Sequence, residues 1–259
     1  MLAEMRSIWL GAALIVALSS CGLTSTPQAS SGKVAVVAAE NFWGSIAAQV
    51  GGDRVEVTSI IAKPATDPHD YDPTANDARL IAGAGYFIVN GAGYDPWASK
   101  LAAANPVSGR RILDVSVLAG VAVGGNPHMW YSPDIVARVI DRLTADLKQL
   151  DAGDAAYFDQ QLASYVTGGL KDYHDTIATI RQRYAGTPVG ASESVFAYMA
   201  PAVGLDLITP PGYMKAISEG TDPTAADKAT VDRQVTTGQV KVFVFNAQNS
   251  TPDVQSVVD

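Results

Sequence analysis

The sequence predicts an α/β fold of two lobes, each built on a mainly parallel sheet flanked by helices and joined by one long connecting helix. Three observations carry this. Between residues 33 and 150, short runs rich in Val, Ile and Ala alternate with amphipathic stretches, the pattern of strands buried on both faces and linked by crossover helices. The same alternation returns after residue 186. Between the two, residues 155–184 read as helix, a segment that spans about 45 Å if unbroken.

The elements follow in order. KVAVVAAE is a buried strand, and NFWGSIAAQVGGD is an amphipathic helix ending on glycines. VEVTSII is the second strand. TANDARLIAGAG is a helix with Thr74 as its N-cap, followed by the strand YFIVNG, the helix DPWASKLAAAN and the strand RRILDVS. SPDIVARVIDRLTADLKQLD has apolar residues at helical spacing and the start signal Ser-Pro-Asp. Gly168-Gly169 interrupts the next helical stretch and is expected to kink it. PVGAS, LDLIT and VKVFVFNAQ are strands, ESVFAYMA and PTAADKATVDRQVTTG are helices, and PDVQSVVD begins another helix.

The N-terminus precedes the folded part. Arg6 stands before the apolar run IWLGAALIVAL, and small residues lead to Cys21, the layout of a secretory signal. The ending Leu18-Ser19-Ser20-Cys21 resembles the bacterial lipobox, which implies that Cys21 is lipidated and anchors the chain to a membrane. Glu4 is out of place in the basic segment, and a start at Met5 removes it. Cys21 is the only cysteine, so no internal disulfide is available. GLTSTPQASSG then reads as a flexible tether. The expected divisions are a signal peptide over 1–20, a lipidated tether over 21–32, an N-terminal lobe over 33–150, a connecting helix over 151–185 and a C-terminal lobe over 186–259. The chain stops at Asp259 inside a starting helix, and the last lobe is expected to be either incomplete or small. A net charge of −8 argues against a nucleic-acid partner, which calls for a basic stripe.

The chain has three histidines. His69 lies in ATDPHDYDPT, at the end of a strand, and His128 lies in GGNPHMWYSP. Each follows a proline, which stiffens the backbone and limits the entropy lost when the ring is held in one orientation. Neutral imidazole is the commonest transition-metal ligand. His174, in KDYHDTIATI, belongs to a solvated helix face. Glu193, in GTPVGASESVFAYMA, stands where a strand meets a helix with Ser192 as N-cap, and the helix dipole there favours an ionised carboxylate. Taken singly, each histidine is an ordinary surface residue and the glutamate an ordinary cap.

In sequence order, PHDYDPT, NPHMWYSP and SESVFAYMA, with the lipobox ahead and a helical connector between, resemble the zinc- and manganese-binding solute-binding lipoproteins of bacterial ABC importers. The resemblance spans the chain after Cys21 and includes ENFWGSIAAQVGGD. It implies that His69 and His128 bind a metal from the first lobe and Glu193 from the second. The family's fourth ligand is often an aspartate, where Ser250 stands here, and Asn246 occupies a position commonly held by glutamate. The fourth donor is therefore left among Gln248, Asn249, Ser250, water and a second oxygen of Glu193. Two imidazoles and a carboxylate suit Zn2+, which the Irving–Williams order favours over Mn2+. The segment before His128, AGVAVGGNP, lacks the His-rich loop of many zinc receptors.

The resemblance further implies an extracytoplasmic, lipid-anchored monomer that delivers its ion to an ABC permease and has no enzymatic activity. Metal affinity is expected to fall in mild acid as the histidines protonate. Two rivals stand beside this reading. A zinc metallohydrolase could use the same His/His/Glu set, but no HExxH motif is present and only Asp67, Asp70 and Asp72 are at hand as general bases. A surface adhesin lipoprotein would hold no stoichiometric metal.

Overall fold

The computed structural model describes residues 32–64, 66–247, 249 and 251–258. The signal segment, Cys21, Gln248 and Ser250 lie outside the described residues.

The first sheet contains β1 (Val34–Glu40), β2 (Val55–Ile61), β3 (Tyr86–Val89) and β4 (Arg111–Asp114), all parallel in the order β2-β1-β3-β4. Successive side chains of a strand point to opposite faces, and both faces of this sheet are buried. Val36, Ala38, Tyr86 and Ile88 pack with α1 (Asn41–Gly51), α5 (Pro133–Leu150) and Phe158 of α6 (Ala155–Ser164). Val37, Ala39, Phe87 and Val89 pack with Ile81 of α2 (Ala75–Gly83) and Trp97, Ala98 and Ala102 of α3 (Pro96–Ala104). Thr74 caps α2 as expected, in a reciprocal box with Asp77.

The second sheet is smaller: β5 (Pro188–Ala191), β6 (Asp206–Leu207) and β7 (Val242–Val244), parallel in the order β6-β5-β7. Tyr213 and Ile217 of α9 (Pro211–Ser218), Val231 of α10 (Ala225–Thr236), and Val254 and Val257 of α11 (Pro252–Val258) form its own apolar cluster. In each sheet the strand order reverses about one strand, β1 in the first and β5 in the second. The crevice beyond the carboxyl ends at such a reversal is the usual place for a ligand.

Several local expectations are corrected. RRILDVS is a strand only to Asp114, whose carboxylate accepts the Val117 N–H and starts α4 (Val115–Ala119). The long helical stretch is interrupted at Gly168-Gly169 as expected: α6 gives way at Tyr165–Gly169 to one wide turn, in which Leu170 N donates to Tyr165 O at 2.8 Å. α7 (Lys171–Tyr184) then continues with no buried residue, and His174 is exposed on it. ESVFAYMA is not one helix. It forms a 3-10 turn at Ser194–Phe196 and the four-residue α8 (Met199–Ala202), because Pro201 has no N–H to donate back to Ala197 O and join the two. LDLIT contributes only Asp206–Leu207 to a strand, and α9 was not foreseen. His69 stands well past the strand, in the loop between Ile61 and Ala75.

Candidate metal centre

The loops beyond the first sheet converge. After β3, Asn90 links two of them: its Oδ1 accepts the Trp43 indole N–H at 3.0 Å, and its Nδ2 donates to Pro127 O at 3.0 Å. His128 is thereby set one residue beyond a carbonyl tied to the sheet. Gly91 and Gly93 take positive φ angles of 76° and 89°, conformations that glycine adopts without strain. They turn the chain so that Tyr94 faces the crevice. The Tyr94 ring lies 4.9 Å from the His69 ring and 6.1 Å from the His128 ring, centroid to centroid. Trp130 packs edge-on against His128 at 5.3 Å and stacks on Phe42 at 4.0 Å.

The hydrogen bonds decide which ring nitrogen of His128 is free. Asn126 Nδ2 donates to Ser194 O at 2.8 Å, which leaves its Oδ1 as the acceptor. That oxygen lies 3.1 Å from His128 N and 2.8 Å from His128 Nδ1. Nδ1 therefore carries the proton and Nε2 keeps its lone pair. The same logic holds for His69, whose Nδ1 faces Gly93 O at 3.3 Å. A backbone carbonyl only accepts, so Nε2 is again the open nitrogen. Both rings are oriented as metal-ligating histidines are, through the nitrogen that does not bind.

The environments differ. His69 is exposed, on an Asx turn in which its N–H donates to Asp67 Oδ1 at 2.9 Å. His128 is buried, and burial, with the nearby His69 as the smaller cause, pushes its pKa down to about 4. His128 therefore stays neutral through mild acid in the metal-free protein. Asp70 and Asp72 are exposed turn residues.

Glu193 is buried at the end of β5 in extended backbone, with no side-chain cap bond. Ser192 is no cap either; its Oγ accepts the Asn246 N–H at 3.3 Å. Burial raises the Glu193 pKa, while hydrogen bonds from Asn246, Asn249 and Ser218 pull it back. Glu193 precedes only the three-residue turn Ser194–Phe196, in place of the longer helix whose dipole was expected to favour its charge. Asn249 Nδ2 stands 3.4 Å from Glu193 Oε2 and also donates to Ile217 O at 3.0 Å. Among the described residues Glu193 Oε1 is buried without a hydrogen-bond partner.

The two sheets meet at this place. Ser194 Oγ lies 3.2 Å from His128 Nδ1, Tyr198 OH donates to Asn126 O at 2.9 Å, and Lys215 Nζ donates to Gly124 O at 3.1 Å. His128 and the segment bearing Glu193 are thus joined across the crevice, while His69 stands at its solvent side. Among the described residues no three His, Cys, Asp or Glu side chains are already grouped to hold an ion.

The model of the family "ZnuA: Zinc-uptake complex component A periplasmic" matches residues 36–259. The chain belongs to this family. Among its relatives, a manganese-binding lipoprotein MntA of Halalkalibacterium halodurans is 24% identical over 75% of this chain and 67% of its own length. The manganese ABC transporter substrate-binding lipoprotein PsaA of Streptococcus pneumoniae is 24% identical over 93% and 81%. The high-affinity zinc uptake system protein ZnuA of Bacillus subtilis is 21% identical over 90% and 78%. A crystal structure of ZnuA superposes with a TM-score of 0.71 at 21% identity, covering 87% of each chain. The Cd-bound periplasmic metal binding protein of Candidatus Liberibacter asiaticus gives 0.72 at 20% identity, over 87% and 84%. These likenesses establish the two-lobe α/β fold of the ZnuA family for this chain. Asn126, Tyr94 and Trp130 escaped the sequence reading. Asn126 alone left a signal, as an Asx-turn former two residues before a histidine.

Proposed function

We propose that this chain is the substrate-binding receptor of a bacterial metal ABC importer, and that it holds one divalent transition metal through His69 Nε2, His128 Nε2 and the Glu193 carboxylate. The observation that carries the reading is the tautomer of His128, with Nε2 open, joined through Ser194 to the segment bearing Glu193, whose buried Oε1 has no partner among the described residues. A buried carboxylate oxygen without a donor is costly, and a cation between it and the imidazole removes the cost. His69, exposed on its turn, swings inward to complete the set. Asn249, already against Glu193, is the described candidate for a fourth oxygen donor; Gln248 and Ser250 are the others.

The donor set binds zinc more tightly than manganese, as nitrogen donors and the Irving–Williams order require. The stretch 151–185 serves as the connector between an N-terminal lobe and a C-terminal lobe, and ligands from both favour the closed arrangement. The protein acts as a monomer, anchored through Cys21 and docking on a membrane permease, without nucleic acid. Its relatives are named as binding lipoproteins, which speaks for a receptor and against the metallohydrolase. The adhesin reading predicts no stoichiometric metal. Competitive zinc and manganese titrations on the wild type and on His69→Ala, His128→Ala and Glu193→Ala test the reading. One zinc per chain and a large loss of affinity in each variant are expected; unchanged binding in all three contradicts it.

A further inference from the structure

Glu40 ends β1 at the strand reversal of the first sheet and is 1% exposed, as is Asp95. Both Glu40 carboxyl oxygens are buried without a hydrogen-bond donor among the described residues. It occupies the N-cap position of α1, yet its side chain makes no cap bond; the parallel register of β1 with β3, Ala38 beside Ile88, sets Glu40 across from Asn90, whose N–H Asp95 holds, so that the two carboxyls face each other. Asp95 is well supplied: its Oδ2 accepts the Asn90 N–H at 2.7 Å and its Oδ1 the Gly91 N–H at 2.8 Å. Among the described residues neither carboxyl enters a salt bridge. The other ionisable groups acting on the pair are Tyr94 and Asp114, neither of them a cation.

Two buried carboxylates in contact without a cation cannot both be ionised. The one holding two backbone N–H bonds keeps the charge, and the other keeps a proton. We propose that Glu40 is a positioning residue of the metal centre: its carboxyl O–H donates to the Asp95 carboxylate, and this shared proton ties β1 to the loop 91–95 that aims His69. Gly93 O in that loop orients the His69 ring, and Tyr94 packs against both histidine rings. Burial, with the Asp95 charge second, raises the Glu40 pKa well above the usual carboxylate value, in accord with a protonated Glu40. Deprotonation places two negative charges in one dry site and pushes the loop from β1, so alkaline conditions loosen the His69 support.

The role in metal binding rests on His69 being a ligand; the shared proton does not. Two readouts separate them. In the metal-free protein at neutral pH, the infrared difference spectrum of wild type minus Glu40→Gln is expected to show a protonated carboxylic acid band from Glu40. Its absence overturns the shared proton whatever the metal data show. In zinc titrations, Glu40→Gln, whose amide N–H replaces the O–H donor, is expected within about threefold of wild type, and Glu40→Ala about tenfold or more weaker, the range for lost support behind a ligand. As pH rises, the wild type loses affinity relative to Glu40→Gln. Equal loss in both variants, or none in Glu40→Ala, overturns the positioning role.

Discussion

Replacing Asn126 by alanine removes three hydrogen bonds at once: those from His128 Nδ1 at 2.8 Å and from His128 N at 3.1 Å, and the one donated to Ser194 O at 2.8 Å. At about 1 kcal/mol net apiece, the metal-free protein loses up to about 3 kcal/mol of stability. The effect on binding comes from the ring. Without the Oδ1 acceptor, His128 samples the tautomer with Nε2 protonated and rotates more freely. Loss of such an orienting partner costs about tenfold to 100-fold in metal affinity, or about 1.4–2.7 kcal/mol. Competition with a chromophoric chelator at neutral pH measures this directly. Asn126→Asp is the informative companion, since it keeps an acceptor for Nδ1–H but loses the donor to Ser194 O. It is expected to bind zinc at least as well as wild type, because a carboxylate on the far nitrogen raises ligand basicity. Zinc affinity in Asn126→Ala within about threefold of wild type would refute the reasoning, since an orienting bond is worth more than that.

Two further outcomes follow from the buried ionisable groups. His128 is neutral in the fold with a pKa near 4 and titrates near 6.5 when unfolded. Its contribution to stability is therefore full above about pH 6.5 and lost as pH falls to about 4, amounting to about 3 kcal/mol; urea melts of the metal-free wild type and His128→Gln across that window should diverge by this amount, and parallel curves would contradict it. The Glu193 pKa is raised by burial, so at neutral pH its charge is a burden on the metal-free fold. Glu193→Gln is expected to melt at or above the wild-type temperature while binding zinc at least tenfold more weakly, in line with loss of a ligand; calorimetry showing a lower melting temperature without metal would count against that sign.

The fold was legible because the first lobe obeys simple periods. Val36 and Ala38 face one layer, Val37 and Ala39 the other, and a run apolar at every position announces a strand buried on both sides. The second lobe was read less well, because tertiary contacts override local preference there. Tyr198 is tied to Asn126 O, and Pro201 has no N–H to donate back to Ala197 O, so a stretch with helical composition becomes a 3-10 turn and one short helix. His69 and His128 stood out as Pro-His pairs in loops, but their grouping with Glu193 rested on family resemblance. The support behind them was not legible. The contact of Glu40 with Asp95 and that of Asn126 with Ser194 join residues 55 and 68 positions apart, distances at which no local pattern operates.

The most direct test of the central claim is the anomalous difference map of a crystal of the zinc-loaded protein, collected at the zinc edge. The account predicts one ion bound by His69 Nε2, His128 Nε2 and the Glu193 carboxylate, with zinc–nitrogen distances of about 2.0–2.1 Å. An ion bound through Nδ1 of either histidine, or a peak remote from Glu193, would contradict it.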